Sequence, residues 1–224
     1  MERGTLDAFE LYIFDIDGTL TITKSGNQFR EGADDWQWID GRLEILRSLH
    51  AQGNKVLAFA SNQGGVAFGY FTEAEMLTEM TQMAYHITGS LETPFYIGVC
   101  FSHPKGTITE YAKDDVRRKP QPGMLLEIAQ RYLIPPRKCL VVGDRPEDRK
   151  AAGAAHMLYM DHADFFAAME PDPRCHCGKH ADVYCQFCHA WQCMACHYTD
   201  HLPAEGQSIE DFLMGYDAHG NLKF

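Results

Sequence analysis

The sequence has no run of about 18 apolar residues, so nothing in it reads as a membrane-spanning helix. Its first residues, Met1-Glu-Arg-Gly-Thr-Leu-Asp7, lack a basic segment followed by an apolar one. No secretory signal is therefore expected, and a cytoplasmic location is the default. Positive charge is scarce: 20 Lys and Arg stand against 31 Asp and Glu, a formal net charge of -11. That balance excludes a generic polyanion binder and leaves only a local basic patch for a phosphorylated ligand. No internal repeat and no low-complexity tract is present. Cysteine is thin over most of the chain, with six of the eight between Cys175 and Cys196. Crowded cysteines without a secretory signal point to metal rather than disulfides. What the 224 residues do have is 45% hydrophobic side chains, enough for one domain of ordinary size plus a small appendage.

The stretch Leu11-Tyr-Ile-Phe-Asp15-Ile-Asp17-Gly-Thr-Leu20 organises the rest. Strand formers lead into two carboxylates spaced i, i+2, and residues two apart on a strand share a face. Asp15 and Asp17 are thus expected to project together from the end of a buried strand, where open α/β sheets bind ligands. Two close carboxylates repel, so they call for a cation or a shared proton. A hard divalent ion with oxygen ligands suits them. One carboxylate can then act as nucleophile and the other can move protons. An ordinary strand followed by an Asp-Gly turn is the plainer alternative for this stretch taken alone.

Along the chain, 11–16 reads as the first strand and 19–38 as an aperiodic loop or flap. Asp40 to Gln52 has helical spacing and stops at Gly53. Lys55 to Ala60 is a second strand running into a polar turn, Ser61-Asn-Gln-Gly-Gly65. Thr72-Glu-Ala-Glu75 is a capping-box pattern opening a helix to about Ile87. Phe95 to Phe101 is a third strand, 102–118 a polar loop, and Pro122 starts a helix to about Tyr132. Cys139 to Val142 is a fourth strand ending in Gly143-Asp144, Glu147 to Ala155 a helix, and Met157 to Met160 a fifth strand. Alternating strands and helices predict an α/β class fold, a doubly wound, Rossmann-like, mostly parallel sheet. Pro171-Asp-Pro173 marks a boundary. The expected organisation is a main domain over 1–170, a small Cys/His unit over 171–202 and a tail over 203–224, with Ile209 to Met214 an amphipathic turn docking on the main domain.

Four polar clusters fall at strand ends or just before a helix: Asp15/Asp17, Ser61-Asn62, Arg118-Lys119-Pro120, and Gly143-Asp144-Arg-Pro-Glu-Asp148. Ser61 and the Gly-rich backbone after it are suited to holding a phosphate. Each has a plain alternative: a turn cap for Ser61, a solvated lysine for Lys119, a helix cap and a solvated face for Asp144 and Asp148. Together and in this order they resemble the motifs of the haloacid dehalogenase superfamily of aspartate-nucleophile phosphatases. The resemblance covers roughly residues 8–168. The wording Ser-Asn-Gln-Gly-Gly and Arg-Lys-Pro-Gln-Pro-Gly-Met resembles the small-cap branch, which contains polynucleotide 3′-phosphatases, histidinol phosphatase and heptose bisphosphate phosphatases.

The resemblance implies Asp15 as nucleophile, forming an aspartyl-phosphate, and Asp17 as general acid and then general base. It implies Ser61 as a ligand of the phosphoryl oxygens, helped by the Asn62 backbone. Lys119 would neutralise the phosphoryl group and hold Asp15, and Arg118 would contact substrate. Mg²⁺ would be held by Asp144, Asp15 and the Asp17 carbonyl, with Asp148 supporting the metal or the loop. Short gaps between the motifs leave no room for a large lid domain, so the site is expected to be open. In the sugar-bisphosphate members the loop before Arg-Lys-Pro usually carries a Cys/His zinc site. Here that loop offers only Cys100 and His103, too few ligands. It is expected to be metal-free, with Cys100 a buried strand residue and His103 a loop residue near substrate.

Cys175-x-Cys177, Cys185-x₂-Cys188, Cys193-x₂-Cys196 and His197-x₃-His201 make four ligand pairs at spacings tetrahedral zinc requires. They resemble a B-box or related cross-brace finger. On that resemblance Cys175, Cys177, Cys193 and Cys196 hold one Zn²⁺, and Cys185, Cys188, His197 and His201 the other. His176, His180 and His189 compete for the histidine places. A unit of about 30 residues buries too little core to fold alone, so metal would drive its folding. With Arg174 and Lys179 against Asp172, Asp182 and Asp200 it lacks the basic surface of a phosphate-backbone binder, and a structural or protein-contact role is expected.

The sequence therefore predicts a Mg²⁺-dependent phosphomonoesterase with a structural zinc module. Its substrate is read as a nucleic-acid 3′-phosphate or nucleotide, alternatively a small sugar or amino-alcohol phosphate. The rival from another class is a non-catalytic interaction protein that binds a partner through the finger.

Overall fold

The computed structural model describes residues 6–169 except Pro94, together with the backbone of two short strands further on. The chain divides into two units, Met1–Glu170 and Pro171–Phe224.

In the first unit, five strands form a parallel sheet in the order β5-β4-β1-β6-β7. They are β1 (Leu11–Phe14), β4 (Val56–Asn62), β5 (Tyr96–Cys100), β6 (Cys139–Gly143) and β7 (Leu158–Asp161). The helices are α1 (Arg42–Ala51), the short α2 (Gly65–Phe68), α3 (Glu73–Thr88), α4 (Gly123–Arg131), α5 (Pro146–Ala154) and α6 (His162–Met169). This is the α/β architecture expected, with both faces of the sheet covered.

The unbroken apolar strands are explained by that double cover. Side chains alternate across a strand, so each strand feeds two cores. Tyr12, Phe14, Leu57, Phe59, Leu140 and Val142 share one core with α1, α3 and α6. Leu11, Ile13, Ala58, Ala60, Cys139 and Val141 share the other with α4 and α5. Helix α3 presents Met76, Met80, Met83, Ala84 and Ile87 at helical spacing to the first core. Its start is fixed by the expected capping box: Glu75 N donates to Thr72 Oγ1 at 3.2 Å and Thr72 N to Glu75 Oε2 at 2.7 Å.

Two features differ from the sequence reading. Strand β4 runs on through Ser61 and Asn62, because these residues pair with Val99 and Cys100 of β5, so the polar turn begins later. Helix α6 fills a stretch with no assignment in the sequence, burying Phe165, Phe166 and Met169.

The flap is folded as well. Strands β2 (Thr21–Ile22) and β3 (Gln37–Trp38) pair antiparallel. Between them the Asp35 carboxylate accepts hydrogen bonds from Ser25 Oγ (2.7 Å), Ser25 N (2.9 Å) and Glu31 N (3.0 Å). These bonds hold its carboxyl down at about 2. Trp36 Nε1 donates to Glu79 Oε2 at 2.8 Å, fastening the flap to α3.

Among the described residues no helix is long and apolar enough to cross a membrane. In the second unit, β8 (Val183–Cys185) and β9 (Ala190–Gln192) form an antiparallel hairpin. The expected zinc ligands Cys175, Cys177, Cys188, Cys193, Cys196, His197 and His201 lie outside the described residues, as does the 203–224 tail. Of Cys185 only the backbone is described, at the end of β8.

Candidate active site

The chain builds outward from β1 through β4 to β5, then returns to place β6 on the other side of β1. The switch point lies between β1 and β6, and ligands of open α/β sheets bind outside the strands' carboxyl ends at such a point. Asp15 follows β1, Ser61 lies near the end of β4, and Asp144 follows β6.

The turn after β1 is tight. The Ile16 carbonyl accepts from Leu20 N at 2.8 Å and Thr21 N at 3.0 Å, and Gly18 N donates to Thr21 O at 2.8 Å. Gly18 has φ +89°, and a Cβ there would meet Asp144 Oδ2 at 2.4 Å. Glycine is needed on both counts. The turn brings Thr19 Oγ1 to Asp144 Oδ1 at 3.2 Å.

Lys119 reaches into the centre. Its Nζ lies 2.7 Å from Asp15 Oδ1, 2.6 Å from Asp148 Oδ1 and 2.6 Å from the Ala60 carbonyl. Burial pushes the Asp15 carboxyl up to about 7, against the pull of Lys119 and with added repulsion from Asp148 and Asp17. Burial alone would lower the Lys119 ammonium, but Asp15 and Asp148 outweigh it and hold it above the ordinary lysine value. Lys119 therefore stays charged, at a low-dielectric position where charge counts most.

The backbone at Lys119 is clamped by Asn62: Asn62 Nδ2 donates to Lys119 O at 2.9 Å, and Lys119 N donates to Asn62 Oδ1 at 3.0 Å. From the sequence, the Asn62 backbone is expected to help hold phosphate; its side chain fixes the loop that carries Lys119. Arg118 turns toward the loop, donating from a terminal nitrogen to Ser102 O at 2.9 Å. It lies next to His103, whose ring packs on Phe68 at 5.0 Å. Cys100 is a buried strand residue as expected.

Asp15, Asp144 and Asp148 each offer a carboxylate oxygen, all within 4.8 Å of one another. This hard-oxygen set fits a divalent cation. Asp148 is the least available, since Oδ1 meets Lys119 and Oδ2 accepts from Arg145 N at 3.1 Å. A Cβ at Gly143 would meet Asp148 Oδ2 at 2.5 Å, so that glycine makes room for it.

Asp17 is held by residues to which the sequence reading gave no role. Arg30 of the flap meets Oδ1 through Nε at 2.7 Å and a terminal nitrogen at 2.6 Å. Gln63 Nε2 donates to Asp17 Oδ2 at 2.7 Å and to Ser61 Oγ at 2.9 Å. With that bond accepted, the Ser61 O–H is left to donate elsewhere. Gln63 stood inside the Ser-Asn-Gln motif, which was its only signal; Arg30 had none.

The chain is similar to known proteins. The family model described as "Polynucleotide kinase 3 phosphatase" matches residues 10–170. A D-glycero-beta-D-manno-heptose-1,7-bisphosphate 7-phosphatase of Pasteurella multocida (strain Pm70) is 36% identical over 144 residues, 63% of this chain and 74% of the relative. The protein of that name from Escherichia coli (strain K12) is 33% identical over 146 residues, 64% and 73% of the two chains. Among solved structures, a D,D-heptose bisphosphate phosphatase from B. bronchiseptica, complexed with magnesium and phosphate, superposes with TM-score 0.54 at 27% identity, covering 67% of this chain and 79% of that one. The chain belongs to the polynucleotide kinase 3 phosphatase family of the haloacid dehalogenase superfamily, and it is a phosphatase.

Proposed function

We propose that the chain is a Mg²⁺-dependent phosphomonoesterase working through an aspartyl-phosphate on Asp15, with a small phosphorylated sugar as substrate class. The observation that carries the reading is the buried junction of Asp15, Lys119 and Asp148 beside Asp144. Asp15, Asp144 and the Asp17 carbonyl would hold the cation, which when bound offsets the charge of phosphoryl oxygens and carboxylates.

The remaining work belongs to side chains of this chain. An Asp15 oxygen attacks phosphorus, and the bond from phosphorus to the leaving oxygen breaks with its electron pair on that oxygen. Asp17 delivers a proton there. Asp17 then takes a proton from water as the water oxygen attacks phosphorus, and Asp15 leaves as a carboxylate. The Ser61 hydroxyl donates to a phosphoryl oxygen, and Lys119 balances the charge gathering there, a matter of positioning and electrostatics. Asp148 orients Lys119, Asn62 sets its backbone, and Arg118 would contact the substrate's outer part.

The sugar-phosphate class is supported by the relatives, whose names specify a heptose bisphosphate. A second reading, a polynucleotide 3′-end, is favoured by the description of the matching family. Hydrolysis of a panel of sugar phosphates against a 3′-phosphorylated oligonucleotide, each with and without Mg²⁺, separates them. Sugar-phosphate turnover dependent on Mg²⁺ is expected. Preference for the oligonucleotide sinks the substrate class, and no hydrolysis of anything favours a non-catalytic partner-binding protein.

We further propose that 171–202 is a zinc module, followed by a tail over 203–224. Thiolates of Cys175, Cys177, Cys185, Cys188, Cys193 and Cys196 with imidazoles of His197 and His201 suit two Zn²⁺ ions in structural sites. The module would serve protein contact or stabilise the fold.

A further inference from the structure

Arg30 is the one cation that reaches the active site from the flap among the described residues. Its side chain is 5% exposed, against 37% for Asp17. A guanidinium so buried must spend its donors on fixed partners. Ala33 O takes one at 3.0 Å and Thr21 Oγ1 another at 3.5 Å, both within the flap. Two more go to Asp17 Oδ1, which receives Nε and a terminal nitrogen together.

A carboxylate has about four lone-pair positions. Two are filled on Oδ1 by Arg30 and one on Oδ2 by Gln63. Among the described residues, the second lone pair of Oδ2, the oxygen joined through Gln63 to Ser61, receives no protein donor. Rotating the carboxyl would break charged hydrogen bonds on both sides. The flap that carries Arg30 is braced by Asp35 and by the Trp36 bond to Glu79, so the guanidinium has a firm base.

We propose that Arg30 is a positioning residue for proton transfer: from the flap it fixes Asp17 so that the one open position on Oδ2 serves the leaving oxygen. The proposal rests on the reading of Asp17 as the acid–base group. It makes catalysis depend on the flap's fold as well as on the sheet.

The test uses the leaving group. An alkoxide needs a proton as it departs; a nitrophenolate does not. We would compare kcat/KM, which reports the first phosphoryl transfer, for glycerol phosphate and p-nitrophenyl phosphate in the full-length Mg²⁺-loaded wild type, Arg30→Met, Arg30→Lys and Asp17→Asn. Arg30→Met is expected to lose about 10²-fold on the alkyl ester, the scale of a misplaced group. On the aryl ester it should lose no more than about threefold, an activity that also reports a folded site. Arg30→Lys, which keeps charge but not the fork, should fall between. Equal losses on both esters in both Arg30 variants, or no loss in either, overturn the proposal. If Asp17→Asn is selective for the alkyl ester and the Arg30 variants are not, only the role of Arg30 fails. If Asp17→Asn is not selective, the acid–base reading fails and takes this one with it.

Discussion

Lys119 Nζ lies 2.7 Å from Asp15 Oδ1, the two joined across 104 residues of chain and buried to 3% and 9% side-chain exposure. The ammonium is shared with Asp148 at 2.6 Å, so two buried carboxylates lean on one cation. Removing one partner of such a group costs far more than the group's net contribution to stability. Lys119→Met is therefore expected to destabilise the protein by about 3 kcal/mol near pH 8. Adding Asp148→Asn should recover part of the loss, read by urea unfolding of the single and double variants. A Lys119→Met protein as stable as the parent contradicts the buried triad.

Asp15 sets a pH dependence of stability. Burial pushes its carboxyl from 3.8 up to about 7, so the folded chain keeps this proton to higher pH than the unfolded chain does. The contribution favours folding fully below the unfolded value and is lost as pH rises through about 7. In EDTA, a falling thermal midpoint is expected across that window. Mg²⁺ should restore more stability at about pH 8 than at about pH 5, because it binds the carboxylate form. A Mg²⁺ effect equal at both ends, or larger in acid, contradicts this. It can be read by thermal melts with and without the ion.

Much of this site was legible in the sequence, and the reason is local. An apolar run ending in Asp15-Ile-Asp17-Gly states a strand, its end and two carboxylates within a few residues. Asp144 and Lys119 could be placed because each sits beside a strand or helix boundary marked by glycine or proline. Arg30 could not be placed. It stands in an aperiodic flap, and its contact with Asp17 depends on how 23–36 folds around Asp35. The clamp by Asn62 was hidden for a similar reason: strand β4 continues through a polar residue only because β5 offers partners up to Cys100. Helix α6 was missed because eight residues beginning His-Ala-Asp are too short to show a period.

Gly18 offers a steric test. A Cβ there would press on Asp144 Oδ2 at 2.4 Å and would sit at φ +89°. Gly18→Ala is expected to cost about 1–3 kcal/mol of stability. It should also weaken Mg²⁺ binding, measured by calorimetry, since the displaced carboxylate belongs to the acidic cluster. Unchanged Mg²⁺ affinity would separate Asp144 from the cation.

The Cys/His region makes a stoichiometric prediction. Full-length protein purified without chelator should carry about two zinc ions per chain by elemental analysis. Cys193→Ser with Cys196→Ser should lower that number. Zinc near zero, with reactive thiols at all six positions Cys175 to Cys196, would contradict the module.

The most direct measurement is acid quenching during turnover of a sugar phosphate, followed by peptide mass spectrometry. The account predicts one added phosphoryl group on the peptide containing Asp15, localised to that residue, and none in Asp15→Asn, whose kcat falls by at least about 10³-fold. A phosphoryl group on another residue, or undiminished turnover by Asp15→Asn, would contradict it.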